Sequence, residues 1–253
     1  MSSLAFRRLG ALLGSIWLLV SAPAWAGTTT VAVAANFTEP AREIAAAFQR
    51  DTRHKAVLSF GASGVFYTQI ANGAPFEVFL SADADRPAKA EQDGLAVPGT
   101  RFTYATGRLV LYSTKPGLVD GKGLVLKRVN FAKIAIADPT LAPYGEAVID
   151  VMNRLKVTRS LSSRIVKGTS ITQTYQFVAT GAADLGFVAL SQVIAIPGGS
   201  RWVVPSGLHA PIAQQAMLLK TGENNPAAIA FLRYLKSAKA RAIIRRFGYA
   251  AGR

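Results

Sequence analysis

The chain has 253 residues, no cysteine and a formal charge of +15, from 29 basic and 14 acidic residues. Without thiols it has neither thiol catalysis nor cysteine-ligated metals, and a chain of this length needs no disulfides to support its core. The charge bias admits nucleic acid, an anionic surface or a small anion as partner. The basic residues are scattered, except for Lys236, Lys239, Arg241, Arg245 and Arg246, and no aromatic–basic interleaving or helix-turn-helix pattern points to nucleic acid.

The first element is a leader. Arg7 and Arg8 precede the apolar run LGALLGSIWLLV and then SAPAWAG, the layout of a signal peptide cleaved after Ala26. The apolar run is shorter than the roughly 20 residues that span a bilayer. Residues 1–26 are thus expected to direct export, and with no cysteine to lipidate, the product is expected free in the periplasm. The remainder suffices for one large domain or two lobes of about 100 residues each.

From residue 28 the pattern alternates between strand and helix. TTVAVAAN reads as a strand, and FTEPAREIAAAFQRDT as a helix with Ala41, Ile44, Ala45 and Phe48 on one side, Thr38 as N-cap and Pro40 in the first turn. KAVLSF and FEVFLSAD read as strands, SGVFYTQIANG as a helix, and ADRPAKAEQDG as a helix broken near Pro87. RLVLYST and KIAIADP are strands, followed by the helix PYGEAVIDVMNRLKV, the strand SRIVKG, the helix ITQTYQFVATG and the strands DLGFVAL and PIAQQAMLLK. The C-terminus reads as two helices broken near Ser237. Such alternation predicts an α/β fold of mostly parallel sheets covered on both faces, with two lobes and no flexible linker between them.

Ligands of open α/β sheets bind beyond the carboxyl ends of the strands. Four turns there share a chemistry: AANFT, GASG within SFGASGVFY, ADPTLAPYG and KGTSIT. Each places small or polar residues at a helix N-terminus, where unpaired N–H groups and the helix dipole favour an anion. Asn36, Ser63 and Tyr144 add side-chain donors, and no Lys or Arg sits at the centre of any turn, although Lys167 precedes the last. Taken singly, each turn also fits a plain helix cap, and GASG lacks the Gly-Lys-Ser/Thr of a phosphate loop.

Four stretches, VAVAANFTEPAREIAAAF, LSFGASGVFYTQIANGAPFEVFLSAD, IAIADPTLAPYGEAV and GTSITQTYQFVATGAADLGFVALSQV, give the chain its family likeness. In order and spacing the chain resembles the periplasmic molybdate-binding proteins, the solute-binding components of ABC importers. The resemblance implies two α/β lobes joined by two crossover strands, divided as 27–107 plus 209–253 and 108–208, closing on ligand like a clamp. It implies side-chain donors at Asn36 and Ser63, a contact from Tyr144 and a backbone N–H from Ile171. The ligand is molybdate or tungstate, with no cofactor and no direct metal-ligating side chain. The partners implied are that oxyanion and a membrane permease, for a monomer that does not bind nucleic acid. Many members carry Ser in place of Asn36, and some a ligand-binding Tyr in place of Ala189, a role Tyr144 is expected to take over.

A tetrahedral dianion without protons offers only acceptors, so a cavity of donors satisfies it. Hydrogen phosphate brings a proton that such a cavity leaves unpaired, at about 1–3 kcal/mol, or tenfold to over a hundredfold in affinity. Sulfate must be rejected by size, and tungstate is expected to be poorly distinguished. The rival readings are a binding protein for sulfate, phosphate or an organic acid, and an enzyme. No arginine at the turns recruits an organic carboxylate. For an enzyme, only His54 and His209 are present, both in loop-like surroundings, and Asp83 and Asp85 in SADADRP read as cap or turn residues. Phe37, Phe66 and Tyr67 read as lobe core. Glu39, Glu43 and the basic C-terminal helix are conceivable permease contacts.

Overall fold

A computed structural model describes residues 26–251. The expected leader, but for Ala26, lies outside the described residues.

The first block runs β1 (Thr28–Ala34), a 3-10 turn (Ala35–Phe37), α1 (Thr38–Thr52), β2 (Lys55–Gly61), α2 (Ser63–Ala71), β3 (Val78–Leu80), α3 (Asp85–Gln92) and β4 (Phe102–Gly107). The second block runs β5 (Leu109–Ser113), α4 (Val125–Arg128), β6 (Ile134–Ala137), α5 (Pro143–Arg154), α6 (Thr158–Leu161), β7 (Ile165–Gly168), α7 (Ile171–Ala179), β8 (Leu185–Ala189), α8 (Leu190–Val193) and β9 (Ser200–Val203). The chain then returns through β10 (Ile212–Leu218), α9 (Pro226–Tyr234), α10 (Ala238–Arg246) and β11 (Ala250–Ala251).

Two sheets result, ordered β11-β4-β10-β3-β1-β2 and β7-β6-β8-β5-β9. Side chains two apart share a face, and the cores follow that period. Val31 and Val33 pack with Phe37, Ile44, Phe48 and Phe231 on one face of the first sheet, while Ala32 packs with Phe66, Ile70, Phe79 and Met217 on the other. In the second sheet Leu109 and Leu111 share a face with Ile134, Ile136 and Phe187, and Val110 and Tyr112 face the opposite way with Ala135, Val178 and Val188. Both sheets are therefore covered on two sides, the layered α/β arrangement the alternation predicts.

Each sheet has a parallel block, β2-β1-β3 and β7-β6-β8. Antiparallel strands extend both blocks, so the sheets are mixed where mostly parallel ones were expected. The cause is the route of the chain. It leaves the first sheet after Gly107, enters the second at Leu109, and returns through β10, whose Ile212 pairs with Gly107. Both crossings thus lie side by side, as a two-strand hinge.

Three local expectations change. Thr38 is not a cap but the first residue of α1, and its Oγ1 donates to the Ala35 carbonyl at 2.8 Å. Helix α3 is unbroken, because Pro87 sits in its first turn, where a missing N–H costs nothing. FTYATG and SRWV, in which no strand was expected for want of a clear alternation, form β4 and β9.

Candidate functional site

The four turns meet. Asn36, Ser63, Tyr144 and Ile171 line one cavity between the sheets, with small residues such as Ala35, Ala62 and Ala142 filling the wall. The space is about 10 Å³, near the least that holds one water, so the four turns approach one another closely. None of its lining residues is charged. A wider groove of about 310 Å³ adjoins it, sharing Ala35 and Asn36.

Three of the four residues stand at helix N-termini. Ser63 is the first residue of α2, Tyr144 the second of α5 and Ile171 the first of α7. Their main-chain N–H groups have no protein acceptor among the described residues, and the dipoles of α2, α5 and α7 add positive character. The Ser63 Oγ accepts the Ala82 N–H at 2.9 Å, which leaves its own proton to give. Ser170 caps α7 by accepting the Gln173 N–H at 3.3 Å. The cavity is thus a convergence of neutral donors.

Tyr144 approaches the hinge. A Cβ on Gly107 would lie 2.3 Å from its hydroxyl oxygen and 2.8 Å from Gln214 Nε2. The glycine at the hinge lets a side chain of α5, from the second block, touch both crossings. Burial, reinforced by the neighbouring Tyr249 and Tyr104, pushes the Tyr144 hydroxyl well above the usual range, so it stays neutral. Ala189, at the end of β8, belongs to the same core as Tyr144 and does not line the cavity.

Asn36 is placed differently from the other three. Its Nδ2 donates to Gln214 Oε1 at 3.0 Å and to Tyr249 Oη at 2.9 Å, so both amide protons point into the protein. Gln214 Oε1 also accepts from Tyr104 Oη at 2.9 Å, and Gln214 Nε2 donates to Tyr144 Oη at 3.4 Å. Tyr249 Oη donates to the Asn36 main-chain carbonyl at 2.6 Å, and Ser191 Oγ donates to the same carbonyl at 2.8 Å. Burial raises the hydroxyls of Tyr104 and Tyr249. Sequence reasoning missed this network. One signal was present: in IAQQAML, Gln214 falls on the buried phase of the strand with Ile212 and Ala216, and a buried amide implies polar company.

Contacts between the lobes ring the cavity. The Gly64 N–H donates to the Leu141 carbonyl at 3.0 Å, an approach a side chain at Gly64 would crowd. Neither Gly61 nor Gly64 has positive φ, so their part is close approach rather than a left-handed turn. Arg86 pairs with Asp83 in its own lobe and with Glu146 across the cleft at 3.2 Å. Both carboxylates neutralise this guanidinium beside the cavity.

The remaining candidates fall elsewhere. Asp83 accepts the Arg86 N–H at 3.2 Å at the start of α3, a capping role, and Asp85 is exposed. His54 accepts the Gly27 N–H at 2.9 Å, and His209 is buried beside the hinge, where its Nδ1 lies 2.6 Å from the Ala210 carbonyl. Phe37 and Phe66 are core, while Tyr67 is half-buried and donates to Asp93 at 2.5 Å. On the outer face of α1, Glu43 pairs with Arg246 of the basic C-terminal helix, and Glu39 borders the wider groove.

Comparisons with known proteins bear on this geometry. Residues 29–250 match the family described as bacterial extracellular solute-binding protein. The chain is 55% identical over 242 residues to a molybdate-binding protein of Rhodobacter capsulatus, covering 96% of each. It is 53% identical over 234 residues to that of Azotobacter vinelandii, covering 91% of this chain and 93% of the other. The solved periplasmic molybdate-binding protein of Azotobacter vinelandii superposes with a TM-score of 0.86 at 43% identity, over 89% of this chain and all of its own.

Proposed function

The chain belongs to the family of bacterial extracellular solute-binding proteins, and from that premise we propose that it captures molybdate between its lobes and delivers it to the permease of an ABC importer. Supporting this are the molybdate-binding relatives that match it nearly end to end. The observation that carries the reading is the cavity itself: three helix N-termini with free N–H groups, a hydroxyl proton left to give, and no charged side chain. That chemistry suits an anion that only accepts.

In this reading Ser63 donates through its hydroxyl and main chain, Tyr144 and Ile171 through the N-termini of α5 and α7, and Asn36 through the turn after β1. Tyr144 stands in for the tyrosine other members carry in place of Ala189. Lobe 1 comprises 27–107 plus 209–253 and lobe 2 comprises 108–208, with residues 1–26 removed on export to the periplasm. The protein acts as a monomeric carrier without cofactor, catalysis or nucleic acid. Tungstate is bound as well, because its charge and shape match. Sulfate is refused by size, and hydrogen phosphate by the proton it cannot place.

Isothermal titration of the mature protein with molybdate, sulfate and phosphate tests the reading. Saturable one-to-one binding of molybdate, with sulfate and phosphate far weaker, is expected. Absence of molybdate binding to protein freed of ligand by unfolding and refolding would overturn it.

A further inference from the structure

Asn36 lines the cavity yet shows it the wrong end. Both of its amide protons are engaged with Gln214 and Tyr249. Among the described residues its Oδ1 takes no protein donor, and it is not sealed from solvent, so the cleft meets an acceptor at this point. An anion without protons is repelled by an acceptor and attracted by the NH2 that lies behind it.

The same heavy-atom positions support a second arrangement. If the amides of Asn36 and Gln214 both turn through half a rotation, Gln214 Nε2 donates to Asn36 Oδ1 and to Tyr104 Oη. Tyr104 Oη then gives its one proton to the Ser81 carbonyl, already 3.2 Å away. As found, that single proton faces two acceptors, Ser81 O and Gln214 Oε1. Tyr144 Oη, beside Gln214, donates to the Oε1 that now faces it. Tyr249 turns its proton to Asn36 Oδ1 and gives up its bond to the Asn36 carbonyl, which Ser191 Oγ keeps. Turning only one amide sets NH2 against NH2 or oxygen against oxygen, so the two must turn together.

We propose that Gln214 is a positioning residue for Asn36, and that a fully ionised oxyanion selects the state in which both amides have turned and Asn36 Nδ2 faces the cavity. The inference rests on the oxyanion function proposed above. It assigns selectivity to a residue that does not line the cavity. An anion without protons gains only from the donor state, so its binding shifts the amide pair to that state.

Nuclear Overhauser contacts of the Gln214 side-chain NH2 in the full mature protein read the switch, with the resonance assigned by its loss in Gln214→Glu. Without ligand they are expected to the ring of Tyr144, and with saturating molybdate to the ring of Tyr104. A double-mutant cycle reads its consequence. Gln214→Met is expected to weaken molybdate binding about tenfold, the effect of removing one of the two donors that hold the turned Asn36 amide. In an Asn36→Ser background it is expected to cost less than about threefold, because a rotating hydroxyl needs no amide to orient it. A space-filling role for Gln214 gives equal losses in both backgrounds, and that result, or contacts that stay with Tyr144 when molybdate is bound, overturns the proposal. If the wild-type protein does not bind molybdate at all, the oxyanion reading falls first and this inference with it.

Discussion

Ser63 accepts the Ala82 N–H at 2.9 Å, which turns its own proton towards the cavity. Ser63→Ala is expected to weaken molybdate binding by about 1–3 kcal/mol, the loss of a hydrogen bond to a charged group; an unchanged affinity by titration contradicts the placement. Gly107→Ala is a sharper case, since the new methyl would lie 2.3 Å from the Tyr144 hydroxyl oxygen. It should weaken binding by about tenfold or more through a hinge that cannot close, and Tyr144→Phe in the same chain should recover part of the loss. At this scale the sequence was legible where chemistry and position coincide. Ser63 sits in a Gly-rich turn at the start of a helix, Tyr144 and Ile171 occupy the equivalent places, and Asn36 lies in the 3-10 turn before α1. Gln214 and Tyr249 were not legible, because each comes from a segment remote in sequence and gains its meaning only from the neighbours the fold supplies.

The elements that build the site are helices whose N-termini end at the cleft, each following a strand of the parallel blocks. Their strands announced themselves by β-branched and aliphatic runs, and their helices by apolar spacing. Strands β4 (FTYATG) and β9 (SRWV) did not, because neither carries an aliphatic run. One polar anchor secures the second sheet. Asp184, just before β8, accepts Lys115 Nζ at 2.5 Å and the N–H groups of Ala132 and Lys133 at 2.8 and 3.0 Å. The Lys115 bond, then that of Lys133, holds its carboxyl down to about 2. A carboxylate whose folded value is depressed stabilises the fold above its unfolded value, near 4, and loses that contribution as pH falls towards 2. Asp184→Asn should therefore cost about 1–2 kcal/mol at neutral pH, and its difference from wild type should shrink as the pH of thermal unfolding is lowered through that window.

The described residues form two covered sheets meeting at a cavity of neutral donors, and in the function proposed above a ligand is held by donors brought together rather than by a charged side chain. The Arg86–Glu146 pair crosses the cleft, but Glu146 is half exposed, and pairs of that kind contribute little. Glu146→Gln is expected to weaken molybdate binding by no more than about 1 kcal/mol, measured by the same titration. The two-lobed plan followed from the strand–helix alternation, whereas the mixed sheets came from the paired crossings, which no local pattern encodes. The most direct measurement of the central claim is a thermal unfolding series on the mature protein freed of ligand, with molybdate, tungstate, sulfate, phosphate and a small organic acid added in turn. A ligand at 100 times its dissociation constant adds about 2.7 kcal/mol, roughly 5–10 °C for a chain of this size. A rise of that order with molybdate and tungstate alone is the predicted result. A rise with sulfate, phosphate or the organic acid in their place, or with none of them, would contradict the account.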